Sequence, residues 1–185
     1  MSKIKNMVKT GRIWVLRDAD GVMIDDIDTD MIFHNAHLAI TDIAEMGQHA
    51  LGNLDGYEDF PEKVKAGDVV LAGGNFGSGS SRQQAVDCFV SLGVVLLIAE
   101  SFGAIYKRNA INAGFPIMEA AGLSDALRGG DPWVATGDRV QVDMASGKVT
   151  HQGTGDVYKA RPMSGVQQDI YLAGDLFAYG KSVAG

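Results

Sequence analysis

Thiols are nearly absent from this chain: of 185 residues only Cys88 is a cysteine. A single thiol cannot close an intramolecular disulfide, so no disulfide framework is expected, and a reducing compartment such as the cytoplasm is implied. Nor can one thiol hold an iron–sulfur cluster, which needs several thiolates. Basic residues are in deficit, 16 Lys and Arg against 23 Asp and Glu, for a net charge of −7. Lys3, Lys5 and Lys9 are thinly spread and no basic cluster exists, which argues against a nucleic-acid surface. Long apolar runs are missing too. The longest, residues 94–99, is far too short to span a bilayer, and residues 1–10 carry charge but no apolar stretch of a secretory leader. Four prolines exclude a proline-rich linker.

What is present reads as an ordinary globular chain, with 46% hydrophobic and 21% charged residues. Its length suits one domain over residues 1–185, with residues 1–10 expected to be flexible. Twenty-four glycines point to many tight turns and close backbone approaches. Residues 13–16 read as a short strand, followed by an acidic stretch to Asp30. Residues 41–50 read as a helix with Ile43, Met46, Gly47 and Ala50 on one face and Thr41 or Asp42 as its cap. Residues 68–72 form a short buried strand, 73–79 a glycine-rich turn, and Ser80 or Ser81 opens a helix whose apolar positions are Ala85, Cys88, Phe89 and Leu92. Gly93 ends that helix, and residues 94–99 are a continuous apolar strand of the kind buried in parallel sheets. A helix over 104–113 then leads through Gly114 to a strand over 115–118. After Gly130 the pattern alternates: a turn at Thr136-Gly137-Asp138, a strand over 139–144, a hairpin turn at Ser146-Gly147, and a final helix over 166–174. The expected class is α/β, with a parallel strand–helix–strand unit and an antiparallel β-hairpin region.

The stretch Gly73-Gly74-Asn75-Phe76-Gly77-Ser78-Gly79-Ser80-Ser81-Arg82 admits three readings. One is a tight turn with Ser81 and Gln84 forming a capping box. A second is a dinucleotide fingerprint, since Gly77-x-Gly79 follows a strand and Glu100 ends the next; Arg82 stands where its third glycine belongs. No Gly-Lys-Ser/Thr closes the turn as a phosphate loop requires, and no triad accompanies Gly77-Ser78-Gly79. The third reading makes Ser80 and Arg82 active-site groups, a hydroxyl activated at a helix start and a guanidinium reaching for a carboxylate.

The same residues resemble a known signature. Asn75 to Arg82 is similar to the Asn-Phe-Gly-Cys-Gly-Ser-Ser-Arg element of small domains in the aconitase and isopropylmalate isomerase family. Asp26-Ile27-Asp28-Thr29-Asp30-Met31-Ile32 resembles the family's Asp-Thr-Asp segment. Glu100-Ser101-Phe102-Gly103-Ala104-Ile105-Tyr106, with Arg108-Asn109-Ala110-Ile111-Asn112, resembles its Ser-Phe and Arg-Asn-Ala-Ile-Asn segment, and Gly114-Phe115-Pro116-Ile117 follows in register. The resemblance implies a swivelling β/β/α domain that works over a larger body carrying a four-iron, four-sulfur cluster. The missing cysteines suit the arrangement in which that body is a separate large subunit. It further implies a hydro-lyase acting on a small di-acid, Ser80 as catalytic base, Arg82 as carboxylate clamp, and Ser81 and Asp30 as substrate-binding residues.

Departures bear on the substrate. Ser78 replaces the usual Cys, and Gln83 and Gln84 remove a first-turn carboxylate that could pair Arg82. In the place of the substrate-selecting loop, His37-Leu38-Ala39-Ile40 offers apolar contacts and no arginine for a further carboxylate, so His37 and Leu38 are added as contacts. An alkyl-substituted malate is favoured, isopropylmalate first, with citramalate or dimethylmalate, or a non-catalytic di-acid-binding relative, as alternatives. No metal ligands are expected. Asp26, Asp28 and Asp30 mimic a calcium loop, but Met31 and His37 stand where its glycine and glutamate belong. His34, His37 and His49 lack zinc spacing, and Cys88, Met23 and Met31 read as packing residues.

Overall fold

Strand β1 (Val8–Val15) divides its hydrogen bonds between two unlike half-sheets. In the computed structural model, which describes residues 5–127 and 132–184, parallel strands β2 (Val69–Ala72), β3 (Leu96–Ala99) and β4 (Ile117–Glu119) extend from one edge. Antiparallel strands β5 (Arg139–Asp143), β6 (Lys148–His151) and β7 (Val157–Lys159) extend from the other. The seven-stranded order is β4-β3-β2-β1-β5-β6-β7. Ile13, Trp14 and Val15 pair with Val69, Val70 and Leu71, whereas Val8 to Arg12 pair with Asp143 back to Arg139. β1 therefore begins inside the stretch expected to be flexible, of which residues 1–4 lie outside the described residues; so does Gly130.

Side-chain pattern explains the two halves. Every residue of β2 and β3 is apolar and buried, so this half must be covered on both faces. In β5, Val140 and Val142 are buried between exposed Arg139 and Gln141, the alternation of a half-covered ribbon. Eight short helices complete the described residues: α1 (Thr29–Ile32), α2 (Ile43–Met46), α3 (Phe60–Lys63), α4 (Gln84–Ser91), α5 (Ala104–Asn112), α6 (Leu123–Ala126), α7 (Gly165–Ala173) and α8 (Leu176–Ala184). None among them is long and apolar enough to cross a membrane. One face of the sheet packs Val70 and Leu97 against Phe33, Phe60, Phe89 and Tyr106; the other packs Val69, Leu71 and Ile98 against Val140, Val142, Val149 and Tyr171.

Several expectations shift. The helix expected over 41–50 is capped by Asp42 as foreseen, but α2 stops at Met46 and gives way to a 3-10 turn, Gly47–His49. The chain must bend there because Leu51, at φ 57°, is fully buried and donates its N–H to Ile32 O. The helix expected to open at Ser80 or Ser81 starts at Gln84, with no side-chain cap at Gln83. The Ser81–Gln84 capping box does not form, because both side chains bond elsewhere (below). The helix at 166–174 is not the last: α7 starts one residue earlier on a capping box of Ser164 and Gln167, and α8 follows it.

Two buried features fix the frame. Asp68, at the head of β2, accepts hydrogen bonds from Arg12 Nη2 (2.6 Å), Trp14 Nε1 (2.8 Å) and the Lys65 N–H (2.9 Å). Burial pushes its carboxyl up, but these donors outweigh burial and hold it below the ordinary carboxylate value. A carboxyl depressed in the native state stabilises above its unfolded pKa of about 4 and loses that contribution as pH falls through the lower native value. Replacing Asp68 by Asn should cost about 2 kcal/mol near neutral pH. In urea unfolding the gap between the two proteins should narrow well below about pH 4, and a gap constant with pH would refute the assignment.

Gly77 is the second feature. Its φ is 75°, and a Cβ there would run into the ring of Tyr106, which is fully buried. Gly77→Ala should therefore cost about 3 kcal/mol and lower Tm by roughly 6–12 °C, from left-handed backbone strain and overpacking together. An unchanged Tm would show that the Tyr106 ring yields freely.

Candidate active site

Three segments far apart in sequence are woven together by backbone hydrogen bonds. Residues 26–29 run beside 74–78: Asp26 N–H donates to Gly74 O, Gly77 N–H to Ile27 O at 2.7 Å, and Thr29 N–H to Ser78 O at 2.9 Å. On the other side, Phe76 N–H donates to Ser101 O and Gly103 N–H to Phe76 O. The Asn-Phe-Gly turn is thus a strand-like filament between the Asp-Thr-Asp segment and the start of α5. Phe76 is buried beneath it, against Phe89, Phe102 and Tyr106. These residue types follow from the geometry: the glycine lets the backbone ride over an aromatic floor, and the aromatic ring anchors the filament.

This weave brings Ser80, Ser81, Arg82 and Asp30 to one place. Arg82 Nη1 donates to Asp30 Oδ1 at 2.6 Å and to Phe33 O at 3.0 Å. The same Asp30 oxygen accepts from Asn35 N–H at 3.0 Å, while Asn53 Nδ2 reaches Asp30 Oδ2 at 3.3 Å. The hydrogen bond from Arg82 is the main reason the Asp30 carboxyl lies below its ordinary value, outweighing burial and reinforced by Asn35 and His34. Arg82 therefore does not lack a carboxylate for want of one at Gln83, whose side chain instead bonds Asp87. Both contacts of Arg82 use Nη1. The rest of its planar fork meets no protein acceptor among the described residues and can take a substrate carboxylate in two-pronged fashion.

Ser80 and Ser81 are exposed, and each meets one partner: Ser80 Oγ lies 3.3 Å from Thr29 Oγ1, and Ser81 Oγ accepts from Asn109 Nδ2 at 3.4 Å. Activation of Ser80 by a helix start is not supported, because α4 begins four residues later. The group beside it is instead the hydroxyl of Thr29, buried to 2% exposure. Thr29 and Asn109 were missed as site residues, although both stand within quoted motif segments; what identifies them is tertiary contact. His37 and Leu38 lie on the neighbouring loop. Leu38 is exposed and its carbonyl accepts from Gln84 Nε2 at 3.4 Å; the His37 ring stacks on His49. The three aspartates of the calcium-like spacing face three different tasks: Asp26 accepts from Asn75 Nδ2, Asp28 caps α1, and Asp30 holds Arg82.

With an arginine fork, an adjacent hydroxyl pair and an anionic anchor on one exposed face, the arrangement can bind a carboxylate and exchange a proton beside it. It cannot exclude water alone, since Ser80 and Ser81 stand open to solvent. The family's iron–sulfur cluster does not fit this chain: Cys88 is the only thiol, it is fully buried in the core of α4, and burial pushes its pKa up, away from the thiolate a cluster needs.

Comparison with known proteins agrees with this geometry. Residues 23–120 match the family model described as the aconitase C-terminal domain. The 3-isopropylmalate dehydratase small subunit of Pyrobaculum calidifontis is 40% identical over 160 residues, covering 86% of this chain and 93% of that protein. Its counterpart from Pyrobaculum aerophilum is 41% identical over 158 residues, covering 85% and 92%. The crystal structure of 3-isopropylmalate dehydratase from Methanocaldococcus jannaschii superposes with a TM-score of 0.80 at 34% identity, over 96% of this chain and 95% of that one. The woven motifs, the mixed sheet and these full-length correspondences together establish that the chain belongs to the aconitase C-terminal domain family.

Proposed function

We propose that this chain is the small subunit of a two-chain hydro-lyase that isomerises 2-isopropylmalate to 3-isopropylmalate through an alkene acid. The reading rests chiefly on the end-to-end correspondence with the Pyrobaculum small subunits, 93% of the length of one of them. The whole chain acts as one swivelling lid, in the cytoplasm, over a large subunit that carries the cluster and supplies the other wall of the site.

In this reading Arg82 grips one carboxylate of the substrate through its open fork, while Asp30 and Phe33 O hold its Nη1 in place. Ser80 takes the proton from the carbon next to the hydroxyl-bearing one; the C–H electron pair becomes the new C=C bond as hydroxide leaves. Hydroxide then adds at the carbon that lost the proton, and Ser80 returns its proton to the carbon that lost the hydroxyl. Thr29 Oγ1, 3.3 Å away, donates to Ser80 Oγ in the alkoxide form that accepts the substrate proton. Ser81, held by Asn109, is a further substrate contact. His37 and Leu38 belong to the loop that faces the alkyl group; no arginine lies on it to receive a third carboxylate.

The test is co-expression with the large subunit under anaerobic conditions and assay on 2-isopropylmalate, citramalate and dimethylmalate. Ser80→Ala should lower kcat by about 10²–10⁴. Arg82→Lys should lower kcat/KM by about 10²-fold through loss of the two-pronged grip. Full turnover in Ser80→Ala would remove that residue from the chemistry. A stable, cluster-loaded complex inert on all three acids would point to a non-catalytic di-acid-binding role.

A further inference from the structure

The loop from Phe33 to Leu38 is tied to the site at three backbone points: Phe33 O accepts from Arg82, Asn35 N–H donates to Asp30, and Leu38 O accepts from Gln84. Side chains anchor it as well: the Phe33 ring is fully buried in the core, and beside it lies a histidine stack. The rings of His37 and His49 lie face to face, centroids 3.8 Å apart and planes within 17°. The fully buried Phe33 ring meets both edge-on, at 6.1 Å and 6.0 Å. His49 belongs to the 3-10 turn Gly47–His49, which packs against α4; His37 belongs to the loop. With buried Phe33, the stack is therefore a side-chain bridge between the site loop and the body of the fold.

Two imidazoles at this spacing pack well when neutral and repel when both are charged. Burial, then the neighbouring His37, lowers the pKa of His49, so the stack resists a proton. Among the described residues neither His37 nor His49 forms an ion pair with a carboxylate. On α4, Asp87 is bonded to Gln83 and Cys88 is a buried thiol. On α3, Asp59 and Lys63 pair with each other at 2.6 Å and leave Glu62; α2 carries exposed Glu45, and its cap Asp42 accepts from Ala44 N–H. On the loop itself His34, 6.2 Å from His37 between ring centroids, turns its Nε2 to 3.9 Å from Asp30 Oδ2.

We propose that His49 is a positioning residue for substrate selection: stacked on His37, it holds the Phe33–Leu38 loop against Arg82 and Asp30, and protonation of His49 releases the loop. His37 is then a brace for the loop before it is a substrate contact. Loop release loosens the grip on the alkyl-bearing substrate while leaving Ser80 in place, so KM suffers ahead of kcat as the pH falls. The consequence for KM rests on the substrate reading above; the latch itself does not.

Two measurements separate them. In NMR titration of the full chain, the backbone amides of residues 33–38 should move together with the His49 ring signals below about pH 6.5. In the reconstituted two-chain enzyme, KM for 2-isopropylmalate should rise by about tenfold per pH unit below the same point, with kcat changing far less. His49→Phe, which keeps a ring and removes the proton, should flatten both responses; His49→Ala should raise KM at every pH. Should His49→Phe fail to fold, His49→Tyr makes the same test. Loop amides indifferent to the histidine titration, or a wild-type pH response surviving in the Phe or Tyr variant, would overturn the latch. An enzyme without turnover on any alkyl malate would overturn the substrate reading, and the titration would still decide the latch.

Discussion

The close passage of the Gly77 backbone over the Tyr106 ring is the constraint on which the site depends. Because no side chain intervenes there, the filament from Asn75 to Ser78 can sit between two others and exchange hydrogen bonds with both. Without that sandwich, Thr29 and Asp30 would have no fixed relation to Ser80 and Arg82, since the two pairs are some fifty positions apart in sequence. The aromatic floor of Phe76, Phe102 and Tyr106 lets a polar, solvent-facing site be positioned from below by packing. That leaves the polar groups above free to meet a ligand.

Electrostatics complete what packing begins. In a chain with net charge −7, Arg82 stands in a field that opposes anion approach. Asp30 adds one more negative charge, yet it fixes the direction of the fork and spares the guanidinium much of the ordering cost of binding. The surface around Ser80 stays open to solvent, so this face by itself does not enclose a cavity.

Much of this was legible in the sequence, for physical reasons. β2 and β3 sit under two covered faces, so their codes are unbroken apolar runs, and the turn between β2 and α4 needs glycines that stand out by number. Ser80, Ser81, Arg82 and Asp30 could be singled out as candidates because they lie inside two of three segments in register. What stayed hidden is tertiary. The start of α4 retreats to Gln84 because Ser80 and Arg82 are engaged by residues of α1; residues 41–50 look uniformly helical until Leu51 is buried under Ile32. β7 is three residues long with Val157 exposed, too short to carry a period. The His37–His49 stack joins two turns and leaves no local pattern.

The divided allegiance of β1 has a consequence for how the chain is made. Its second half can pair with β2 once residue 71 has been synthesised, but its first half must wait for β5, near residue 140. Throughout that interval a growing polypeptide presents Val8 to Arg12 as a naked strand edge, open to pairing with a neighbouring nascent chain. Lys9 and Arg12 fall within that segment, and their charges guard it until its own partner emerges from the ribosome.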